Sequence, residues 1–280
     1  VTISYYISGI GEPFFDGILQ EMSLTVRLGK RQEKRCKRRI NEEYTEMKGI
    51  AMEQTAVECE AILRHLQEDY TLKRIVFNLE GHTFEIYKVE DIDPLLDRIS
   101  DPEEIPFWAE LWPASIGLAK FILEHADDFR EKRCLELGAG VGLAGIVAKK
   151  VGAMMLQSDY VQSALEFCRL NCRLNRVSAS EFLMADWRSF PESAGTFDRI
   201  IGSDILYEKT LHSALTDIFW NHLKPGGKII LADPGRDYAR NFVEQNKSRG
   251  WHVSEALIPT EYESKTYQIR IYQLTWAGEP

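Results

Sequence analysis

The sequence predicts an α/β fold in which a doubly wound, mostly parallel sheet carries helices on both faces. From Lys132 onward, short apolar segments typical of buried strands alternate with segments of helical periodicity. The first of these strands ends in a cluster of glycines, CLELGAGVGLAG at residues 134–145, and leads directly into a helix. The final segment, YQIRIYQLTW, follows its predecessor without an intervening helix, so we expect an antiparallel last strand.

The element boundaries follow from the apolar runs and from the glycines and prolines between them. The predicted strands are seven segments: 133–137, 153–158, 181–184, 197–202, 227–232, 250–257 and 268–275. The predicted helices are one from about Pro113 and four that follow it: 142–151, 160–173, 208–223 and 238–248. We therefore expect a single seven-stranded domain over residues 106–280.

The chain before this domain has a different pattern. Residues 53–69 predict an amphipathic helix, and LKRIVFNLEGHTFEIYKV alternates around Glu80-Gly81, which indicates a β-hairpin. These elements predict a small N-terminal α/β appendage over residues 51–105. We assign no function to residues 1–50, although residues 27–39 contain eight basic residues and one acidic residue. Such a run is more often a solvated face or a disordered tail than an RNA-binding arm.

Composition excludes several classes of protein. The net charge of −9 makes general nucleic-acid binding unlikely, and no apolar run is long enough to cross a membrane. The first twenty residues lack the basic region of a signal peptide, and the five cysteines show no paired framework, so we expect a cytoplasmic protein. The six histidines show no metal-ligand spacing, so we expect no metal site.

The glycine cluster fits two nucleotide ligands. Read from Gly140 it is G-x-G-x-x-G, the dinucleotide fingerprint; read from Glu136 it is E-x-G-x-G-x-G, the pattern of S-adenosylmethionine (SAM) enzymes. Asp159 lies 19 residues after Gly140 and suits ribose hydroxyls in either case. The loop therefore predicts an adenosine ligand without identifying it.

Three features favour SAM. Glu136 would place a carboxylate near the ligand, which disfavours an anionic pyrophosphate and suits a positively charged sulfonium. A dehydrogenase normally needs a second domain for its substrate, and residues 106–280 leave no room for one. Finally, LKPGGKIILAD at residues 223–233, together with the glycine loop, resembles the class I SAM-dependent methyltransferases.

Within that class the chain resembles the seven-strand family-16 lysine methyltransferases over about residues 105–276. The resemblance rests on the order of FWAELWPASIGLA, LELGAGVGL, SDYVQSALEFCRLNCRLN, ADW and SDILY. FWAELWP followed by LADPGR looks most like the branch that methylates lysines of the electron-transfer flavoprotein β subunit, also labelled nicotinamide N-methyltransferase-like. The resemblance implies a Rossmann-like fold, SAM as methyl donor, S-adenosyl-L-homocysteine as product, and a protein substrate such as that β subunit.

The glycine pattern and the resemblance together predict nine cofactor-binding residues: Trp112, Glu136, Gly138, Ala139, Gly140, Asp159, Asp186, Trp187 and Ser203. By resemblance, Trp112 packs over the methionine end of SAM, Asp186 and Trp187 frame the adenine, and Ser203 closes the pocket near the donor. Trp112 and Trp187 are also compatible with core aromatics, and Asp186 with a turn cap. The pair Asn171 and Asn175 in the third motif is equally compatible with capping and tying a loop.

The segment GSDILYEKT after the fourth strand predicts the catalytic residues Asp204 and Tyr207. An Asp-x-x-Tyr places a carboxylate and a phenol beside the transferring methyl, which suits an amine rather than a planar amide. Asp204 favours a protonated amine, so we expect it to orient the substrate, with Tyr207 shaping the lysine channel and water receiving the proton. A role for Asp204 as general base stays open.

Protein lysine methylation is thus the leading hypothesis, and three alternatives stay open. A small-molecule N-methyltransferase would act on an amine or a pyridine. An RNA methyltransferase would use the basic run at 27–39. A SAM-binding module would bind SAM without catalysis.

Overall fold

A computed structural model describes residues 57–97, 105–177 and 180–276 of the chain. All described residues belong to one compact unit, Val57–Pro280. The predictions for residues 1–50, the basic run at 27–39, and the start of the helix predicted from residue 53 lie outside the described residues. Within the described residues, no helix is long and apolar enough to cross a membrane.

Helices and strands alternate as the sequence predicts. The helices of the described residues are α1 (57–69), α2 (Asp93–Leu96), α3 (Pro113–Glu124), α4 (Leu143–Lys150), α5 (Gln162–Leu174), α6 (His212–His222) and α7 (Asp237–Ser248). The strands are β1 (Leu72–Leu79), β2 (His82–Val89), β3 (Arg133–Leu137), β4 (Met154–Asp159), β5 (Glu181–Met184), β6 (Phe197–Ser203), β7 (Leu223–Asp233), β8 (Trp251–Tyr262) and β9 (Lys265–Trp276). Short 3-10 turns include Phe107–Ala109, Trp187–Ser189 and Lys209–Leu211.

Seven strands form one twisted sheet in the order β5-β4-β3-β6-β7-β9-β8. The first five are parallel, with Leu135 of β3 aligned to Leu156 of β4 on one side and to Ile200 of β6 on the other. β9 lies antiparallel between β7 and β8. The central strands β3, β4 and β6 are mostly buried because helices cover both faces of the sheet. The doubly wound fold and its antiparallel last strand are therefore confirmed.

The largest boundary differences lie at the chain's last hairpin, at the start of β7, which begins at Leu223 rather than at 227, and at α6. β8 and β9 are longer than predicted because a two-residue turn joins them, with positive φ of 49° at Glu263 and 60° at Ser264. Glycine or asparagine is the usual sequence signal for such a turn, and neither is present. The helix predicted from residue 208 begins as the 3-10 turn Lys209–Leu211, and α6 starts at His212.

Two apolar layers fill the space between the sheet and its helices. One layer joins α3 and α4 to the sheet through fully buried side chains such as Phe121 and Ile146. The other joins α6 and α7 through Phe219 and Phe242. Fully burying side chains of this size stabilises the fold by about 2–3 kcal/mol each. Together the layers hold the strand ends in fixed positions.

Asn171 of α5 and Asn175, the residue that caps its C-terminus, attach the N-terminal hairpin to the sheet domain. Asn171 accepts a hydrogen bond from Tyr87 N (2.7 Å) and donates to Tyr87 O (2.9 Å), as a neighbouring strand would. Asn175, one helical turn later, makes the same pair of bonds with Glu85, at 3.0 and 2.6 Å. The asparagines therefore bind the edge of β2. The sequence alone was equally compatible with a role in capping a helix and tying a loop.

The same hairpin also touches the segments around the glycine loop. Asn171, which is completely buried, donates a further hydrogen bond to Val141 O at 2.9 Å. The Lys88 ammonium, 4% exposed, contacts the Glu110 carboxylate at 2.6 Å. The hairpin lies in the range 51–105, which the sequence predicted as an appendage. These contacts show that it also supports the region of the glycine loop. The predicted domain boundaries themselves stay a prediction.

Replacing Asn171 tests this support. We expect Asn171→Ala to lower the free energy of unfolding by about 2–4 kcal/mol, because Tyr87 and Val141 lose partners that water cannot replace. The matched control is Asn241→Ala on the exposed face of α7, which shares the change in helix propensity. Urea denaturation of both variants measures the difference, and equal free energies of unfolding would contradict the account.

Candidate active site

The glycine loop connects β3 to α4 in a conformation that side chains rarely adopt. Gly138, Gly140 and Gly142 all have positive φ, at 65°, 53° and 86°. Residues other than glycine pay a steric cost in this region, which explains the spacing of the three glycines. The loop therefore exposes backbone rather than side chains at the start of α4.

Neighbouring segments approach the loop closely. A Cβ on Gly138 would lie 2.9 Å from Ile205 Cγ2 and 3.2 Å from Trp187 Cζ2. A Cβ on Gly140 would lie 3.3 Å from Trp108 O. The loop is thus surrounded by the segments after β5 and β6 and by the turn Phe107–Ala109, and none of these leaves space for a larger residue.

Asp159, at the carboxyl end of β4, fixes the loop from one side. Its Oδ2 accepts a hydrogen bond from Gly140 N at 3.0 Å, and its Oδ1 accepts one from Val161 N at 3.1 Å. The side chain is 4% exposed, and burial raises its pKa although these N–H groups counteract the shift. The predicted contact of Asp159 with ribose hydroxyls stays a prediction, and the structure places the residue directly beside the loop.

Glu136 supports the loop through Gln157, on the side of the loop that faces β4. Its Oε2 accepts a hydrogen bond from Gln157 Nε2 at 2.7 Å, and a Cβ on Gly145 would lie 2.4 Å from the same oxygen. Gln157 Nε2 also donates to Gly142 O at 3.3 Å. Complete burial raises the pKa of Glu136 to about 7. This carboxyl group therefore packs under the first turn of α4, and a direct contact with the cofactor stays a prediction.

Asp186 and Trp187 lie after β5, at the same edge of the sheet. Asp186 Oδ1 accepts a hydrogen bond from Arg188 N at 2.9 Å, so this carboxylate caps the 3-10 turn. The Arg188 side chain also binds it, and this hydrogen bond lowers the pKa of Asp186. Trp187 faces Gly138, as described above. The capping alternative for Asp186 is therefore observed, and its predicted contact with adenine stays untested.

Trp112 and Tyr207 both lie against Phe107, and the three rings form an aromatic rim. Trp112 Nε1 donates to Phe107 O at 2.7 Å, and the ring of Phe107 lies 6.1 Å from that of Trp112 and 5.3 Å from that of Tyr207. Phe107 and Tyr207 are 37% and 39% exposed, so the rim reaches the surface. Phe107 was not predicted as a site residue, although FWAELWP contains it.

Asp204 follows Ser203, the half-buried last residue of β6, and has an unusual backbone. Its φ is 60°, and its N–H donates to Ala232 O of β7 at 2.9 Å. Its carboxylate pairs with the Arg236 guanidinium, which also binds Asp233 Oδ2 at 3.1 Å. Asp233 and Arg236 were not predicted as site residues, although the motif LADPGR contains both.

The environment sets the charge of the two predicted catalytic groups. Burial raises the pKa of Asp204, while the nearby Arg236 guanidinium counteracts that shift. Burial raises the pKa of the Tyr207 phenol to about 12, so this group is neutral at physiological pH. Asp204 can orient a cation, and Tyr207 can donate a hydrogen bond or line a channel.

The predicted residues share one edge of the sheet because the carboxyl ends of parallel strands meet there. The strand ends of β3, β4, β5 and β6 carry all of them except Trp112, which begins α3. A separate groove of about 360 Å³ between the Lys209–Leu211 turn and α7 contains none of them. Across the described segments, no group of three or more histidine, cysteine or carboxylate residues could hold a metal.

Comparisons with known proteins identify the family of this chain. The family profile described as "Lysine methyltransferase" matches residues 100–248, more than half of the sequence. The matched residues include the glycine loop, Asp159, Asp186 and the segment Ser203–Tyr207.

Three relatives illustrate the range of described activities. The electron transfer flavoprotein beta subunit lysine methyltransferase of Rattus norvegicus is 33% identical over 140 residues, which cover 48% of this chain and 53% of the relative. The protein N-lysine methyltransferase METTL21A of Danio rerio is 33% identical over 170 residues, covering 57% and 76%. The histone-arginine methyltransferase METTL23 of Xenopus laevis is 32% identical over 132 residues, covering 45% and 56%. The chain spans about half the length of the first of these relatives.

A solved structure supports the fold. The 16S rRNA N2 G1207 methyltransferase RsmC of T. thermophilus, in complex with AdoMet and guanosine, superposes with a TM-score of 0.53. The match has 16% sequence identity and covers 73% of this chain and 50% of that one. At this identity the similarity establishes the Rossmann-like methyltransferase fold alone.

The buried carboxyl group of Glu136 gives a pH-dependent prediction. Because its pKa rises from 4.5 to about 7 on folding, the folded protein holds a proton that the unfolded chain releases between these values. The free energy of unfolding therefore falls as pH rises through this window. We compare the free energy of unfolding of the wild type with that of Glu136→Gln. We expect the difference, wild type minus variant, to decrease by about 3 kcal/mol between pH 4.5 and 7.5.

Urea denaturation across this pH range measures the difference. Glu192→Gln, at an exposed position, is the matched control and should leave the pH profile of stability unchanged. Parallel profiles for wild type and Glu136→Gln would contradict the burial of an ionisable group under the loop.

Proposed function

The chain belongs to the lysine methyltransferase family, and from this membership we propose that it transfers methyl groups from SAM to lysine side chains of a protein. The observation that carries the proposal is the position of Asp204 and Tyr207. Both follow β6 directly, and the intervening Ile205 lies against Gly138 of the glycine loop. An amine bound at Asp204 would therefore lie beside whatever occupies the loop.

The glycine loop fits SAM better than a pyrophosphate ligand. The exposed backbone of Gly138, Ala139 and Gly140 allows a close approach, and the acidic side chains of Glu136 and Asp159 lie at or under the loop. Negative charge from Asp159, and from Glu136 to the extent that its raised pKa of about 7 leaves it ionised, opposes an anionic ligand and favours a cationic one. We propose that Asp159 binds the ribose hydroxyls of SAM.

The remaining contacts with SAM come from neighbouring segments. Trp187, against Gly138, and Asp186 would enclose the adenine, and Trp112 and Ser203 would lie at the donor end. When bound, SAM would supply an electrophilic methyl group that a neutral amine takes while the methyl–sulfur bond breaks and sulfur keeps its electron pair. The reaction leaves S-adenosyl-L-homocysteine.

The aromatic rim suits a lysine substrate. Phe107, Trp112 and Tyr207 offer apolar surface to the methylene stem of lysine, while Asp204 holds the nitrogen at its end. A free lysine has a pKa near 10.4, so it must lose a proton before it reacts. We assign that proton to water, with Asp204 orienting the amine and the neutral Tyr207 shaping the channel. Holding two reactants in line accounts for much of the expected acceleration.

The substrate is proposed to be a protein, with the electron-transfer flavoprotein β subunit as the first candidate. This candidate comes from the names of relatives that are about one-third identical. The cytoplasmic location expected from the sequence also stays a proposal.

The test of the activity uses radiolabelled SAM, the full chain, and a soluble lysate supplemented with the purified β subunit. We expect label on discrete protein bands, and a loss of turnover of about tenfold or more in Asp204→Ala with SAM binding retained. Asp217→Ala, an exposed carboxylate of α6, is the control and should keep full turnover. Label confined to small molecules or RNA, or undiminished turnover in Asp204→Ala, would refute the proposal.

The cofactor site has its own test. Gly138→Ala adds a methyl group 2.9 Å from Ile205 Cγ2 at positive φ, so we expect the dissociation constant for SAM to rise about tenfold or more. Gly226→Ala carries the same backbone strain at φ 73°, at an exposed position near the start of β7 with no atom within 4 Å of the added group. Calorimetric titration of SAM into both variants measures the effect, and unchanged binding by Gly138→Ala would exclude this loop as the cofactor site.

A further inference from the structure

The turn that follows β7 has a fixed geometry, and this geometry sets the position of the Arg236 side chain. Asp233 Oδ1 accepts hydrogen bonds from Gly235 N at 2.6 Å and from Arg236 N at 2.7 Å. Gly235 has φ 95°, and a Cβ there would lie 2.8 Å from Arg270 Nε. The ring of Pro234 restricts its own φ and so removes one further degree of freedom from the turn. The sequence Asp-Pro-Gly-Arg therefore holds Arg236 in one place at the start of α7.

The Arg236 guanidinium lies between two buried carboxylates. It contacts Asp204 Oδ1 and, at 3.1 Å, Asp233 Oδ2. Asp233 is completely buried and Asp204 is 9% exposed, whereas the Arg236 side chain is 34% exposed. With both carboxylates ionised, these three groups carry a net charge of −1.

We propose that Arg236 is a positioning residue for methyl transfer, which holds the Asp204 carboxylate ionised and oriented toward the substrate amine. This inference rests on the proposed function, because it assigns a partner to the residue that would orient the lysine. Arg236 acts through Asp204 and makes no contact with the reacting atoms.

Electrostatics gives the physical reason. Two carboxylates buried side by side disfavour each other's charge, and one guanidinium between them removes most of that penalty. The remaining negative charge attracts the lysine ammonium to Asp204. Because Arg236 already shares the Asp204 carboxylate, the ammonium is held less tightly and its proton can leave to water. Removing Arg236 would favour protonation of Asp204 and free its side chain to turn.

The direct test measures the pKa of Asp204 in the full chain, labelled with ¹³C at the aspartate carboxyl groups. Asp204→Asn and Asp233→Asn identify the two signals by their loss. Arg236 and Asp233 are the charged groups against Asp204, and Tyr207 on the same loop is neutral over this pH range. We expect Arg236→Met to raise the pKa of Asp204 by about one unit or more, and Arg236→Lys to restore most of the wild-type value.

Arg240→Met is the matched control. Arg240 lies one turn further along α7 and pairs with Asp237 rather than with the buried carboxylates, so the pKa of Asp204 should not change. An unchanged pKa in a folded Arg236→Met would overturn the proposal. If Arg236→Met does not fold, Arg236→Ala is measured with and without added guanidinium. A pKa of Asp204 that is raised without guanidinium and returns to the wild-type value with it would support the proposal. The same pKa under both conditions would overturn it.

Kinetics on the labelled protein substrate complete the test. We expect Arg236→Met to lower kcat about tenfold or more while the KM for SAM stays unchanged. Arg236→Ala, which leaves space for the ion, should show a similar loss with partial rescue by added guanidinium. A raised pKa with undiminished kcat would overturn the positioning role. If the wild-type chain labels no protein, the proposed function fails, and the carboxyl titration alone then decides whether Arg236 controls Asp204.

Discussion

Glu136, Asp159, Asp204 and Asp233 are all buried at one edge of the parallel sheet, and burying a carboxylate costs free energy unless hydrogen bonds or a cation compensate. The compensation takes three forms. Glu136 binds the Gln157 amide, Asp159 binds backbone N–H groups of the loop, and the last two share the Arg236 guanidinium. The bonds of Glu136 and Asp159 fix the glycine loop against β4, and those of Arg236 fix the segment after β6 against the turn after β7. The four carboxyl groups together make the site acidic.

An acidic site with exposed loop backbone suits a cationic methyl donor and an amine acceptor. The rim of Phe107, Trp112 and Tyr207 adds apolar surface where a lysine stem would enter. The hairpin β1–β2 supports this arrangement from outside the sheet, since Asn171 reaches both Tyr87 and Val141 and Lys88 binds Glu110. The conformation of the loop therefore depends on residues far from it in the sequence.

Much of the fold was predictable because periodicity and glycine spacing are local signals. The strands β3 to β7 and their parallel direction follow from the alternation of apolar runs with helical segments, and the loop after β3 follows from its glycine cluster. The positions of Asn171 and Asn175 were visible in the sequence, but their pairing with β2 was not, because it joins residues more than 80 positions apart. Arg236 was missed for the same reason: its role depends on Asp204, which lies on a different strand end.

The most direct measurement is an amino-acid analysis of the labelled protein after complete hydrolysis, with methyl-labelled SAM as the donor. The account predicts that the label elutes as methylated lysine, because Asp204 and the aromatic rim suit a single amine on a methylene stem. Label in methylated arginine, the product expected from relatives described as histone-arginine methyltransferases, would contradict it.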